Sequence, residues 1–209
     1  MPNNLIVADL SVHTLTNVCL EVNAGQCAGM TGPSGSGKTL LLRAVADMDP
    51  HGGQVRLNGL SADQTSPELW RRQVALLPAE SAWWHDIVGP HFETDPQQWL
   101  DLLGFDRSVL SWEVRRLSSG ERQRLALVRL LELTPRVLLL DEPTANLDAR
   151  NIERVEAVIG RYRNSHHPSV LWVGHDLNQL RRNCDQIYAI EDSRLTPVSM
   201  TELENRVEQ

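Results

Sequence analysis

The chain has 209 residues, of which 41% are hydrophobic and 22% charged, with a net charge of −7. That balance argues against disorder, and an acidic chain disfavours nucleic acid as a partner, because phosphate backbones are met by basic patches. Apolar runs such as VLLL (137–140) and VLWV (170–173) fall far short of the roughly 20 residues that span a bilayer.

The opening MPNNLIVADL carries no basic stretch followed by a long apolar one, so no secretory signal is expected. LIVADL (5–10) and VCLEV (18–22) read as short strands, with a turn at Ala24-Gly25. QCAGMT (26–31) reads as a buried strand that runs into the loop GPSGSGKT, and LLLRAVADM (40–48) as a helix stopped by PHGG. Strands follow at QVRLNG and around VALLP (74–78). Residues 81–133 look mainly helical, with PQQWLDLLGF as one candidate and SSGERQRLALVRLLEL, serine at its start, as a stronger one. RVLLLD (136–141) is a continuous apolar run, the pattern of a strand covered on both faces. A helix over ARNIERVEAVIGRYR, a strand SVLWVG, a short helix LNQLRR, a strand QIYAI and a C-terminal helix complete the reading. Alternating strands and helices predict an α/β three-layer sandwich with a mainly parallel sheet, an antiparallel β portion at the N-terminus, and a helical subdomain inserted at about 81–133. Cys19, Cys27 and Cys184 are odd in number and widely spaced, which suits reduced thiols better than a disulfide framework or a zinc site.

Nineteen of the twenty basic residues are arginine, and Lys38 is the single lysine. Position 38 therefore calls for a compact ammonium on a flexible stem, where a planar guanidinium would not serve. It stands in Gly32-Pro33-Ser34-Gly35-Ser36-Gly37-Lys38-Thr39, a full match to the phosphate-binding pattern G-x-x-x-x-G-K-[ST] between a strand and a helix that opens near Leu40. Glycines let backbone N–H groups converge on phosphates, with the dipole of the next helix behind them. Lys38 would reach the β- and γ-phosphates, and the Thr39 hydroxyl would ligate Mg²⁺. The apolar strand ending in Asp141 puts a carboxylate beside the P-loop, where it can hold that ion's hydration shell, and Glu142 follows where it can polarise water against the γ-phosphate.

With LSSGERQR (117–124) added, the series is a P-loop, an LSGGQ-like signature, LLLDEPT, NLD and a histidine after an apolar strand. In that order these motifs resemble the ATP-binding cassette (ABC) family across essentially the whole chain. The resemblance implies that two copies dock head to tail around two ATP molecules, each signature facing the other copy's P-loop. Ser118, Ser119, Gly120 and Glu121 would then open a helix as an anion-binding terminus in trans. It implies further that Glu142 is the general base or water-orienter, that Asp148 ends a loop communicating across the dimer, and that His175 contacts the γ-phosphate as a switch.

Two places depart from the family pattern. The only ring where an adenine-stacking aromatic is expected is His13, and Ala79-Glu80 stands where a glutamine that touches Mg²⁺ is usual. Glu80 is therefore a candidate replacement ligand. The adjacent Trp83 and Trp84 do not easily share one core face, which makes them candidate anchors for a membrane partner, the alternative being that one closes the subdomain's small core and the other covers its edge. The expected protein is an ATP hydrolase needing ATP and Mg²⁺. It would be a homodimer when ATP is bound, held at the cytoplasmic face of the plasma (inner) membrane by a separate transmembrane permease, since 209 residues leave no room for fused spans. Two other readings stay open: an ABC ATPase without a transporter, and a slowly hydrolysing, nucleotide-gated regulatory module.

Overall fold

The computed structural model describes residues 4–199. β1 (Leu5–Val12) and β2 (Leu15–Val22) form an antiparallel pair, followed by β3 (Cys27–Thr31) and α1 (Lys38–Val45). β4 (Gly52–Leu57) pairs antiparallel with β1, and a two-residue β5 (Leu60–Ser61) completes a four-stranded sheet in the order β2-β1-β4-β5. α2 (Pro67–Gln73), β6 (Val74–Leu77), α3 (Gln97–Leu102) and α4 (Ser119–Glu132) come next. The chain continues through β7 (Val137–Asp141), α5 (Ala149–His166), β8 (Ser169–Val173), α6 (Leu177–Asn183), β9 (Gln186–Glu191) and β10 (Arg194–Val198).

The second sheet has the order β10-β9-β3-β8-β7-β6, parallel throughout except for the β10 edge. Its central strands show why their sequences are apolar without alternation. Val137 and Leu139 of β7 and Leu171 and Val173 of β8 pack toward the antiparallel sheet and α1. Leu138, Leu140, Val170 and Trp172 pack toward α4 and α5, against Leu125, Val128, Val155 and Tyr162. Both faces are therefore covered, and the three-layer expectation holds.

Several elements depart from the sequence reading. α1 starts at Lys38, so the P-loop's own lysine and threonine form its first turn. α2 was not anticipated, although Ser66 caps it through the Leu69 N–H and Pro67 holds its first position, a legible start signal. β10 was missed as well: Asp192 and Ser193 both take positive φ, giving a tight hairpin without glycine. The C-terminal helix expected from sequence lies largely outside the described residues. The stretch expected to be mainly helical holds two α-helices, α3 and α4, and three 3₁₀ turns at 89–91, 107–111 and 114–116. Its first part, before Gly89, contains no helix, while Pro90 and Pro96 stand at the starts of the 3₁₀ turn at 89–91 and of α3, where a missing N–H costs nothing. Among the described residues no helix is long and apolar enough to cross a membrane.

Candidate functional site

β3 delivers the chain to the loop 32–39 at the C-terminal edge of the parallel sheet, and β7 and β8 deliver Asp141 and His175 to the same edge. Open parallel sheets bind their ligands there. Gly37 takes φ 100° just before α1, and a Cβ on it would lie 3.0 Å from Leu15 Cδ1. Glycine is thus required both for the turn and for the approach of β2. Within this ring Lys38 is only 6% exposed, and its Nζ donates to the Gly32 and Pro33 carbonyls at 2.8 and 2.9 Å. Burial lowers its pKa, while the Glu142 and Asp141 carboxylates act to raise it.

Thr39 Oγ1 donates to Asp141 Oδ2 at 2.8 Å. Asp141 is buried, and that burial raises its pKa above the usual carboxylate range against the opposing Thr39 bond and the Lys38 charge. A hydroxyl and a buried carboxylate converging beside a lysine are hard oxygen donors that fit Mg²⁺. Ser36 Oγ, buried in the loop, has no hydrogen-bond partner within the protein, which leaves it for a phosphate oxygen. Glu142 adopts φ 49°, its N–H donates to the Val173 carbonyl at 3.1 Å, and its Oε1 lies 2.9 Å from His175 Nε2. Backbone held in this region turns the Glu142 side chain out of the strand's alternation. Ser34, Gly35, Gly37, Lys38, Thr39, Leu40, Glu142 and His175 together line a hollow of about 310 Å³.

Other candidate residues lie elsewhere. Ser118 caps α4 in a reciprocal box: its Oγ accepts from the Glu121 N–H at 3.2 Å, and Glu121 Oε2 accepts from the Ser118 N–H at 2.8 Å. That backbone bond, more than any other cause, holds the Glu121 carboxyl below the usual range. Gly120 lies against Leu147, whose Cδ2 would be 2.9 Å from a Cβ there. None of these four signature residues lines the P-loop hollow. Asp148 is exposed and caps α5, accepting from the Asn151 N–H at 2.9 Å. His13 sits exposed in the β1–β2 turn with φ 53°, two residues before the Leu15 that packs on Gly37.

Glu80 is exposed and lines, with Ala79, Ser119, Arg122 and Gln123, a hollow that Thr39 and Asp141 do not line. Sequence reasoning missed Gln123, which is buried, donates to the Pro78 carbonyl at 3.1 Å and accepts from Ser81 Oγ at 3.2 Å. Nothing in ERQR marks it, because its role depends on a loop 45 positions upstream.

Trp84 is 64% exposed, whereas Trp83 is half-buried against the core. The Arg129 guanidinium stacks over both rings at 4.8 and 4.7 Å, and His91, buried beside them, accepts from the Trp84 and His85 N–H groups at 3.0 Å each. Neither His91 nor Arg129 was legible beforehand.

A parallel sheet with a phosphate-binding loop, a buried lysine, a Thr–Asp pair and an outward glutamate on adjacent strand ends defines a P-loop ATPase. The ABC transporter family model matches residues 15–145, and the chain belongs to that family, as an ABC-type ATPase. It is 33% identical over 190 residues to the probable iron export ATP-binding protein FetA of Escherichia coli K12, covering 85% of this chain and 84% of that one. It is 32% identical over 186 residues to the tungstate uptake system ATP-binding protein TupC of Peptoclostridium acidaminophilum, covering 84% of this chain and 86% of that one. Among solved structures, a bacterial Atm1-family ABC exporter with ATP bound superposes at a TM-score of 0.85 with 22% identity, a likeness of fold. That match takes in 98% of this chain and 40% of the exporter chain.

Proposed function

We propose that two copies of this chain close head to tail on two MgATP and hydrolyse them to drive a separate membrane-spanning partner. The observation that carries the reading is the separation of two anion-binding features. The P-loop hollow is lined by Lys38, Thr39, Glu142 and His175, while the N-terminus of α4 at Ser118–Gly120 opens outside it. A helix start of this kind presents free N–H groups, and a second copy's γ-phosphate is the ligand that matches them.

In this arrangement the Lys38 ammonium neutralises charge on the transferring phosphoryl, and Thr39 and Asp141 would hold Mg²⁺. Glu142 orients and deprotonates the attacking water. His175, 2.9 Å from it, holds that carboxylate and reports on the γ-phosphate. Asp148, at the start of α5, ends the loop facing the other copy, and His13 lies beside the P-loop as the candidate adenine contact.

The membrane partner is read from the surface beside α4. An apolar groove of about 240 Å³ lined by Ala46, Met48, Leu76, Leu77, Leu130 and Leu133 shares Arg129 with the Trp83–Trp84 pair. Exposed aromatics next to such a groove suit a short helix of a permease, which would hold the protein at the cytoplasmic face of the membrane. The named relatives include an exporter component and an uptake component, so cargo and direction belong to the partner in this reading.

A slow, nucleotide-gated module draws support from Ala79, which stands where the family's glutamine is usual. Steady-state ATP turnover, with and without membranes containing the partner, separates the two. The dimer itself is tested with Glu142→Gln, whose amide cannot accept the water's proton. With MgATP this variant is expected to elute from gel filtration at twice the monomer mass, and turnover should fall by about 10²–10⁴-fold. A variant that stays monomeric at saturating MgATP would refute the head-to-tail reading.

A further inference from the structure

Two of the three cysteines meet across the base of the fold. Cys27 opens β3, the strand that leads into the P-loop, and Cys184 closes the last turn of α6 through its N–H to the Leu180 carbonyl at 2.8 Å. Their sulfurs are 3.4 Å apart, although 157 positions separate them in sequence. The frame around them is firmly held. The Cys27 N–H donates to Asp185 Oδ2 at 2.7 Å, and the Asp185 N–H donates back to the Cys27 carbonyl at 2.8 Å. Arg163 on α5 spans both segments, donating to the Gly25 carbonyl at 2.9 Å, the Asn183 carbonyl at 2.8 Å and Asp185 Oδ2 at 2.7 Å. Gly29 clears the space: a Cβ there would lie 3.0 Å from Cys184 Sγ.

We propose that Cys27 and Cys184 form a redox-modification site, a dithiol that a hydroperoxide converts to a disulfide, with a reversible loss of ATP turnover. Cys184 is half-buried and reachable, whereas Cys27 is 1% exposed, so oxidation starts at Cys184. The hydrogen bond with Cys184, and burial after it, hold the Cys27 thiol well above the usual thiol range, so Cys27 does not meet the oxidant first, and its sulfur 3.4 Å away is placed to resolve an oxidised Cys184. In the first step the Cys184 thiolate attacks the peroxide, the O–O bond breaks, and a sulfenic acid forms with release of hydroxide, which leaves as water. In the second, the Cys27 sulfur attacks the Cys184 sulfur: the S–S bond forms, the S–O bond breaks, and the departing hydroxide takes the Cys27 proton as a second water. Two thiols and one hydrogen peroxide thus give one disulfide and two waters.

A disulfide needs the sulfurs at about 2.05 Å, so they must close by roughly 1.4 Å. β3 is hydrogen-bonded to β8 on one side and β9 on the other, so Cys27 is the fixed end. The movement falls on Cys184 and on α6, a seven-residue helix that begins two positions after His175. Leu180 of α6 lies under Gly174, with Cδ2 3.4 Å from where a Cβ would be. A pull on the helix end therefore reaches the segment that holds His175 against Glu142.

The test is hydrogen peroxide treatment of the folded protein, followed by intact mass, non-reducing peptide mapping and ATP turnover. The expected result is a loss of about 2 Da, a Cys27–Cys184 linked peptide, and turnover lowered severalfold and restored by dithiothreitol. Cys27→Ala and Cys184→Ala should each prevent both the link and the loss of turnover, whereas Cys19→Ala should respond as the unaltered protein does. A gain of about 32 Da without a link, a link through Cys19, or a Cys27–Cys184 disulfide with unchanged turnover would each overturn the proposal.

Discussion

The P-loop edge and the stretch from Pro78 to Leu117 are held together by different means. At the P-loop edge the backbone does the positioning. Parallel strands end in register, Leu140 beside Trp172 and Asp141 beside Val173, and the functional groups leave from those ends. From Pro78 to Leu117 strand pairing is reduced to a single bridge between Ile87 and Glu113, and α3 is the one α-helix. Side chains close the remaining gaps: Gln123 to the Pro78 carbonyl, Arg129 to the Ala82 carbonyl at 3.1 Å, Arg124 to the Leu103 carbonyl at 2.7 Å, and His91 to two N–H groups. A site built on strand ends is stiff, and a surface built on side-chain ties can be adjusted with less effect on the rest of the fold. That division suits chemistry at one place and partner recognition at the other.

The sharpest way to break this comparison is to alter the stiff region while keeping charge. Lys38→Arg preserves the cation but asks a planar guanidinium to occupy a buried ring whose carbonyls sit 2.8 and 2.9 Å from Nζ. Nucleotide affinity, measured by titration calorimetry, is expected to fall by ~100-fold, close to the loss in Lys38→Ala. Near-normal affinity in the arginine variant would mean that the loop yields, and the contrast with the 78–117 stretch would disappear.

His91 probes the adjustable region. Its Nε2 accepts from Trp84 and His85, and its Nδ1 faces the Val88 carbonyl at 3.1 Å, so the ring must be neutral. Burial lowers its pKa below the ordinary 6.5, and the nearby Arg129 and His85 charges push the same way. The unfolded chain thus binds the proton more readily than the folded one. The stability this histidine contributes is complete above about pH 6.5 and is lost as pH falls through the lower folded value. His91→Gln is expected to cost about 1–3 kcal/mol in urea unfolding at neutral pH and to flatten the pH dependence in that acid window. An unchanged acid slope in the variant would assign it to another group.

The same division decides what could be read in advance. Gly32–Thr39, Asp141 and Glu142 were legible because a strand end, a loop and a helix start follow one another in sequence, and the chemistry rides on that order. The two-faced covering of β7 was legible from its unbroken apolar run. His91, Gln123 and Arg129 were not, because each acts on backbone that is distant in sequence or irregular, where neither periodicity nor capping leaves a mark. The Cys27–Cys184 approach was hidden for a related reason: strand β9 must return beside β3 before the two sulfurs meet. Glu80 lines a hollow with Ser119 and Gln123, neighbours supplied by α4 that its own position in the chain did not indicate.

The smallest effect expected falls on the exposed ring. Trp84 lies 64% exposed, with an edge contact to His91 at 4.8 Å and the Arg129 guanidinium 4.7 Å away. Its removal exposes little new apolar surface, and the main loss is a cation–π contact at a partly wet site, about 0.5–1 kcal/mol. Trp83 differs by one position and faces the core, so Trp83→Ala loses packing in addition to its own Arg129 contact. Urea unfolding of the two alanine variants should therefore show Trp84→Ala close to the unaltered protein and Trp83→Ala clearly less stable. Equal losses would mean that both rings serve the core and that neither is free to anchor a partner. With unequal losses, Trp84→Ala becomes the informative variant for binding, because weaker recovery on membranes containing the partner could not then be put down to unfolding.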